Sequence, residues 1–172
     1  PWWLDAVAPG AWGEVTVEKG GECFARMPYV IEKKYGYTVL NMPPFTQTLG
    51  PWLRPYSGKY TNLLSEEKKL MTALIDQLPP FHQFAQRFHY TITNWLPFYW
   101  QDFQQTTRYT YVIENLTDID AVWNETRQNI RTDVRKAEKQ LELRSDLDLD
   151  SFLNLNEMTY RRQGLPLPYS RD

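Results

Sequence analysis

The chain has 172 residues, of which 42% are apolar and 15% aromatic, so it is long enough to form a domain with a hydrophobic core. A formal net charge of -2 argues against a general nucleic-acid binder, which would be strongly basic. The apolar runs are too short to span a bilayer, and the lone Cys23 excludes an internal disulfide, which favours a cytoplasmic location.

The first part of the chain has the pattern of a short helix followed by antiparallel strands. Val15 and Val17 alternate with polar residues, and Gly20-Gly21 is a tight hairpin signal. Pro28 indicates a bulge or a sheet edge within the return strand, because proline cannot donate to a ladder. The predicted elements are a helix over residues 1–8 and strands over residues 12–18, 22–33 and 37–42.

Residues 43–59 are dense in proline and glycine, so we expect no regular structure there. They also carry large apolar groups such as Phe45 and Trp52, which a disordered linker would not hold. We therefore expect an ordered loop packed on the sheet. The simpler interpretation is that the loop covers one face of the sheet.

The middle of the chain predicts a helix, a strand and a short aromatic helix, over residues 64–78, 81–90 and 94–103. Ser65 is the expected N-cap of the first helix. Trp95 and Tyr99 in the aromatic helix are candidate substrate-binding residues, because such rings can form a stacking wall. Aromatic residues at helical spacing more often pack in a core, and that alternative stays open.

A single long helix is predicted over residues 118–140, after a strand over residues 106–113 and with Thr117 as N-cap. Spacings of three and four residues give this helix one apolar stripe. The residues of the apolar stripe are Ile119, Val122, Trp123, Thr126, Ile130, Val134, Ala137 and Leu141.

A basic stripe lies beside the apolar one. Arg127, Arg131 and Arg135 are four residues apart, with Lys136 adjacent, so that they share a helix face. The stripe is either a solvated face, with Asp133 diluting its charge, or a binding site for a phosphate or carboxylate. Arginine suits the second role because its planar fork matches both groups.

The last part of the chain predicts a brief strand over residues 141–144 and a helix over residues 148–163, capped by Asp148 and ended at Gly164. The apolar positions of this helix have no evident partner, so we expect a homodimer through it at high concentration. Those positions are Phe152, Leu155, Met158 and Thr159.

Several segments are similar to one known family. WNETRQNIRTDVRKAEK, followed by LEL, resembles a W-S-x-x-x-x-N-x-R-R-x-I-R-K-A-x-K segment of FemABX-like and related GNAT-superfamily acyltransferases. WWLDAV, MPPFTQTLGPW, ITNWLPFYW and TYRRQGLPLPYS resemble the same proteins, so the resemblance extends over nearly the whole chain.

The resemblance implies an α+β fold, with a GNAT-like, mixed and mostly antiparallel sheet flanked by helices. Such proteins usually carry two tandem halves, so residues 1–144 would be the N-terminal half and residues 145–172 the start of a truncated second half. The sequence begins at Pro1 rather than Met, and we expect it to be a piece of a longer polypeptide.

The resemblance also implies transfer of an acyl or aminoacyl group to an amine on a small molecule or cell-wall precursor. The donor would be acyl-CoA, such as acetyl-CoA, or an aminoacyl donor. The phosphate-binding pattern R/Q-x-x-G-x-G/A is absent, and Pro166 interrupts the nearest match, RRQGLP. We therefore expect this stretch alone to be inactive and to bind no donor.

The resemblance places the basic helix near a negatively charged acceptor. It also implies, as the alternative to a covering role, that the loop over residues 43–59 approaches the substrate cleft. Candidate substrate-binding residues are therefore Arg127, Arg131, Arg135, Lys136, Trp95 and Tyr99. No metal-ligand spacing occurs, and no catalytic residue stands out. The alternative function is a non-catalytic module with the same fold that shapes a cleft or a dimer interface.

Overall fold

The computed structural model describes residues 2–170, and the chain divides into two compact units, Pro1–Thr106 and Thr107–Asp172. The predicted α+β class is confirmed, because helices accompany a mixed, mostly antiparallel open sheet. The boundary near residue 144 concerns the family's tandem halves and stays a prediction.

The first unit begins with helix α1 (Trp2–Val7), as predicted for the described part of residues 1–8. It is built on a five-stranded sheet in the order β1-β2-β3-β5, with β4 pairing with β2. The predicted antiparallel meander of the first three strands is confirmed, and β5 lies parallel to β3. The strands are β1 (Trp12–Lys19), β2 (Glu22–Lys34), β3 (Tyr37–Asn41), β4 (Trp52–Leu53) and β5 (Gln83–Phe84).

The predicted hairpin is present, since Gly20 and Gly21 both have positive φ (60° and 80°), as a two-residue primed turn requires. Pro28 occupies a local edge, as the sequence suggested. On one side β2 pairs with β4 at Ala25 and Arg26, and with β3 only from Val30 onward. The missing N–H of Pro28 falls in the gap between these two ladders, so no ladder hydrogen bond is lost.

Helix α2 spans Tyr60–Ile75, so it starts four residues earlier and ends three residues earlier than predicted. Its exposed, polar first turn carries no apolar periodicity, which is why the sequence pattern missed that turn. Ser65 is not the N-cap: Lys59 occupies that position without a side-chain cap, and the Ser65 hydroxyl donates to the Thr61 carbonyl oxygen.

The proline-rich loop is mostly irregular, as expected, but the prediction of no regular structure was wrong at Trp52–Leu53. These two residues form β4 against Ala25 and Arg26. A strand of two residues is too short to show alternating apolar and polar residues in the sequence. It forms because β2 offers backbone hydrogen-bonding groups for it to pair with. The loop is therefore attached to the sheet by backbone hydrogen bonds as well as by packing.

The hydrophobic core of the first unit lies between α2 and the sheet. Met27, Met71 and Leu74 have essentially no exposed surface. The buried cluster comprises Val15, Ala25, Met27, Leu70, Met71, Leu74, Ile75 and Phe98. A smaller cluster of Leu4, Ala8 and Val30 attaches α1 to the sheet.

The aromatic segment is less regular than predicted. Only Gln83–Phe84 of the expected strand forms β5, and the expected helix is one turn, α3 (Leu96–Tyr99), with Pro97 near its start. Phe88 and Trp95 pack against the core cluster instead of extending a strand or a helix. Burial of the aromatic rings therefore fixes this segment more than backbone periodicity does.

The second unit contains helices α4 (Ile119–Glu125), α5 (Gln128–Glu138) and α6 (Leu149–Arg162). The predicted strands over residues 106–113 and 141–144 do not form, and Tyr109 and Tyr111 are 96% and 98% exposed. A β-strand needs a neighbouring strand for its hydrogen bonds, and the described residues of this unit contain none.

The prediction of a single long helix was also wrong. Thr126 and Arg127 are extended (ψ 137° and 140°), so the chain leaves the helix after α4 and begins a new one at α5. The longest helix is instead α2, with 16 residues. Asp118, rather than Thr117, caps α4 by accepting a hydrogen bond from the Ala121 amide. The predicted apolar stripe is not buried, since no described residue of this unit is.

Helix α6 matches its prediction closely. Asp148 caps it by accepting hydrogen bonds from the Ser151 amide (2.8 Å) and hydroxyl (2.6 Å). Gly164, with φ of 67°, ends it, and the Leu165 amide donates to the Tyr160 carbonyl oxygen. This is a Schellman motif, which glycine permits because it adopts positive φ without strain.

We predict that Leu74→Ala lowers the free energy of unfolding of the first unit by about 2–5 kcal/mol, because it opens a cavity in the core. Leu64→Ala on the same helix should change it by about 0.5 kcal/mol or less, since that side chain is 37% exposed. Denaturant titration followed by tryptophan fluorescence checks both values. Equal losses for the two variants would contradict the position of the core.

We predict that the pKa of Asp148 lies below its ordinary value of 3.8, first because the Ser151 hydroxyl and then because the Ser151 amide donates to the carboxylate. The stabilisation of α6 is therefore complete above the ordinary pKa and is lost as the pH falls through the lowered value. The Ser151 amide shift in an NMR pH titration reports this step. The step should disappear in Asp148→Asn, and a midpoint above 3.8 in the parent chain would refute the assignment.

Candidate functional site

Two clefts of the first unit are large enough to hold a small molecule. The sheet-end cleft, about 870 Å³, lies where the parallel strands β3 and β5 end. Asn41 and residues 42–47 line it after β3, and Arg87 lines it after β5. Glu32 is the carboxylate in its wall and accepts a hydrogen bond from the Asn41 side chain at 3.3 Å. Carboxyl ends of parallel strands are a common location for ligand sites.

The α2 cleft, about 830 Å³, lies between the proline-rich loop and helix α2. Its walls are residues 48–56, four residues of α2 and the segment after β5. The residues that matter for its chemistry are Arg26, Trp52, Arg54, Tyr56, Glu66, Glu67 and His89.

The proline-rich loop is held in place by specific backbone contacts. The Leu49 amide donates to the Arg87 carbonyl oxygen at 2.8 Å, and the Arg54 amide donates to the Phe24 carbonyl oxygen at 2.8 Å. Gly50 has φ of 120°, and a Cβ at that position would overlap the Phe88 ring. Only glycine fits there, so the loop can approach the aromatic core closely enough to form one cleft wall.

Most charges of the α2 cleft are already neutralised by partners. Glu66 pairs with Lys19 at 2.5 Å, and Arg54 pairs with Glu22 at 2.5 Å. Arg26 lies 3.9 Å from Glu14, and its guanidinium stands 5.6 Å from the Trp52 ring centroid.

Glu67 differs from these groups. It is half-buried, and its Oε2 accepts a hydrogen bond from the Asn94 amide at 3.0 Å. No cationic side chain among residues 2–170 lies within 4.0 Å of its carboxylate. A neutral amide orients the carboxylate but does not compensate its negative charge.

The two histidines have different surroundings. His82 Nδ1 accepts a hydrogen bond from the Thr38 amide at 3.0 Å, and its ring meets Tyr37 edge to face. His82 therefore helps to join β5 to β3 and has a structural role. His89 lines the α2 cleft, where Nδ1 lies 2.9 Å from the Thr91 hydroxyl oxygen.

Trp95 and Tyr99, the candidate stacking residues, contact each other edge to face with centroids 5.5 Å apart. Trp95 packs partly against the core, whereas Tyr99 is 58% exposed. Neither ring lines one of the two clefts. Their substrate-binding role stays a prediction.

The basic stripe lies in the second unit. Arg127 is the N-cap residue of α5, and its carbonyl oxygen accepts from the Arg131 amide. Arg135 stands 5.7 Å from the Trp123 ring centroid, and Lys136 pairs with Asp133 at 3.7 Å on the exposed surface. Arg131, Arg135 and Lys136 lie within α5, whereas Arg127 precedes the helix as its N-cap, so the predicted stripe is not on one continuous helix.

Arg131 is the member of the stripe that the surroundings single out. It is half-buried, and its Nε is inaccessible and has no hydrogen-bond partner among residues 2–170. The other three residues of the stripe are exposed. A charge-assisted contact is worth more where water is partly excluded, so an anion at the outer guanidinium nitrogens would gain more at Arg131 than at an exposed arginine. The anion-binding role of the stripe stays a prediction.

Comparison of the chain with family models, with characterised proteins and with solved structures finds no match. The resemblance to GNAT and FemABX acyltransferases therefore has no support beyond the quoted sequence segments.

Two further observations concern residues 2–170. No group of three or more potential metal ligands comes together in this part of the chain. None of its helices has both the length and the apolar character needed to cross a bilayer.

Sequence reasoning missed the α2 cleft. Glu66 and Glu67 carried only the weak signal of acidic residues near a helix start, and Trp52 was assigned to a covering loop. The available signal was the combination of an ordered aromatic loop with a carboxylate-bearing helix directly after it. Their juxtaposition depends on the β4 ladder, which the sequence pattern did not predict.

Proposed function

We propose that this chain is the N-terminal part of a GNAT- or FemABX-like N-acyltransferase. In this proposal the protein transfers an acyl or aminoacyl group to an amine acceptor, a small molecule or a cell-wall precursor. The support from sequence is the set of similar segments, which extends from WWLDAV to TYRRQGLPLPYS.

The structural observation that carries the proposal is the order of the elements. An antiparallel meander, the expected start of a GNAT-like sheet, is followed by helix α2 and by β5 parallel to β3. The crossover creates one pair of parallel strands, and the sheet-end cleft lies at their carboxyl ends. The sheet thus provides a site of the kind in which a substrate could be positioned.

The chemistry of the proposed reaction is direct attack of the neutral amine on a thioester or ester. A C–N bond forms, the bond from the acyl carbon to the donor sulfur or oxygen breaks, and the amine loses a proton. Positioning and polarisation of the carbonyl group supply most of the rate in such reactions.

The donor, acyl-CoA (acetyl-CoA) or an aminoacyl donor, would be held outside residues 1–172. Gly164, the glycine of the nearest phosphate-loop match, serves as the end of α6. The proposal therefore gives this chain the task of binding and orienting the acceptor.

Within the proposal, Arg127, Arg131, Arg135 and Lys136 bind the negatively charged part of the acceptor. Arg131 is the strongest candidate because it is the half-buried member of this set, and a charge-assisted contact gains more where water is partly excluded. Lys136 already pairs with Asp133, and that exposed pair contributes little stability.

We predict that Arg131→Ala in the full-length protein raises the acceptor KM by about tenfold or more, because a charge-assisted contact is worth about 1.5–3 kcal/mol. Steady-state kinetics with an anionic amine acceptor and an acyl-CoA donor measures the effect. Arg108→Ala, at an exposed arginine outside α5, is the matched control and should leave KM unchanged.

Arg131→Lys should recover part of the loss, because it keeps the charge but not the planar fork. Circular dichroism of each variant separates a binding defect from unfolding. Normal kinetics for Arg131→Ala, or unfolding of both Arg131 variants, would show that the stripe is structural.

A second candidate function, a non-catalytic dimerisation module, is favoured by one specific observation. The apolar face of α6 is exposed: Phe152, Leu155 and Met158 have 53%, 61% and 65% of their surface accessible. Contiguous exposed apolar residues of this kind commonly mark an interface, and a second copy of the chain is the proposed occupant.

We predict a concentration-dependent dimer that Phe152→Glu disrupts, because the change places a charge in the apolar face. Sedimentation velocity over a range of concentrations measures the effect. Leu147→Glu introduces the same charge at an exposed leucine before α6 and should leave the dimer intact. A monomeric parent chain at all concentrations would eliminate the dimerisation candidate.

A further inference from the structure

We propose that the α2 cleft binds an organic ammonium ion, with Glu67 as its counter-ion and the aromatic side chains of the loop around its carbon skeleton. The site is defined by Glu67, Asn94, Trp52 and Tyr56. It does not depend on the acyltransferase proposal, because it is a binding site in the first unit whatever reaction the protein performs.

The first support is the size and lining of the cleft. A volume of about 830 Å³ lies in the range of small-molecule sites, about 300–1,000 Å³. Apolar side chains form much of the lining, and a few polar groups converge on it, which is the usual composition of such sites. The apolar lining residues include Pro51, Leu53, Leu63, Leu70 and Ile92.

The second support is the balance of charge. Arg26, Arg54 and Glu66 each have an oppositely charged partner on the first two strands. Glu67 has only the Asn94 amide, which binds Oε2. Its Oε1 accepts no hydrogen bond from residues 2–170, so one carboxylate oxygen and the whole negative charge remain for a ligand. An ammonium group has three N–H donors and a positive charge, so it supplies both a hydrogen bond to Oε1 and the missing counter-charge.

The third support is the aromatic surface that lines the same cleft as the carboxylate. Trp52 and Tyr56 line the cleft and are 44% and 43% exposed. The Arg26 guanidinium stands 5.6 Å from the Trp52 ring centroid, so the ring contributes to the ligand an apolar surface rather than a second cation contact. Aromatic rings and a carboxylate in one cleft favour a ligand that joins a positive charge to a flat apolar group.

The two arginines of the cleft do not prevent this binding. Arg54 is held by Glu22 and stands 4.7 Å from the Phe24 ring centroid. Arg26 is held between Glu14 and Trp52. Their charges are compensated by groups on the sheet, whereas Glu67 has no such compensation.

The test uses tyramine, which carries a primary ammonium and an aromatic ring, and 4-ethylphenol, which has nearly the same shape without the charge. Isothermal titration calorimetry on the 172-residue chain measures both affinities. We expect tyramine to bind at least about tenfold more tightly than 4-ethylphenol at low salt, and the difference to shrink at high salt.

Glu67→Gln keeps the shape of the side chain and removes its charge, so tyramine affinity should fall about tenfold or more while 4-ethylphenol affinity stays the same. Glu32→Gln, a change to the carboxylate in the sheet-end cleft, is the matched control and should bind tyramine like the parent chain. Glu67→Asp keeps the charge on a shorter stem and should bind with intermediate affinity.

NMR localises the site, because tyramine should shift the Trp52 indole N–H of the α2 cleft and leave the Asn41 backbone amide of the sheet-end cleft unshifted. Thermal melting of the variants distinguishes lost binding from lost folding. The proposal is overturned if the parent chain shows no saturable tyramine binding up to about 10 mM, or if Glu67→Gln binds tyramine as well as the parent chain. If Glu67→Gln fails to fold, the parent chain's preference between the two probes and the position of its NMR shifts decide the question.

Discussion

The packing of α2 on the sheet is the interaction on which the first unit depends. Met71 and Leu74 of the helix and Met27 of β2 are almost completely withdrawn from solvent. Their burial fixes the position of α2 over β1 and β2. The crossover from β3 through α2 then brings β5 alongside β3, so the parallel pair follows from the helix position. Both clefts are consequences of this packing.

The second unit is held together by local contacts within its helices rather than by a buried core. Asp118 caps α4 and Asp148 caps α6, whereas α5 has no side-chain cap, and none of the described residues of this unit is buried. Helical stability in proteins comes mainly from packing of an apolar face, and here the apolar faces of α5 and α6 remain largely open. The break at Thr126 and Arg127 fits this situation, since no packing offsets the weak helix preference of Thr126, whose hydroxyl bonds the Val122 carbonyl oxygen.

The sequence was most informative where chain geometry is set locally. The Gly20-Gly21 turn, the meander and the ends of α6 were predicted because glycine, alternation and a capping aspartate act over a few residues. The start of α2 and the break between α4 and α5 were missed because the spacing of apolar residues does not reveal an exposed helical turn or a break of two residues within a helix. The predicted strand over residues 106–113 failed because β-propensity cannot supply a pairing partner. At the candidate sites, the sequence identified the basic stripe but not Glu67, whose significance depends on what surrounds it.

The gap at Pro28 separates two parts of the sheet that can differ in how easily they open. On one side of β2, the ladder to β4 ends at Arg26 and the ladder to β3 begins at Val30. The Gln86 side-chain amide bridges the interval by donating to the Pro28 carbonyl oxygen at 3.0 Å. Because no continuous ladder joins the two segments, the short β4 ladder can open while β3 remains paired. The wall of the α2 cleft that carries Trp52 can therefore open locally while the rest of the sheet stays folded. Its backbone amide hydrogens should exchange with solvent faster than those of β1, β2 and β3.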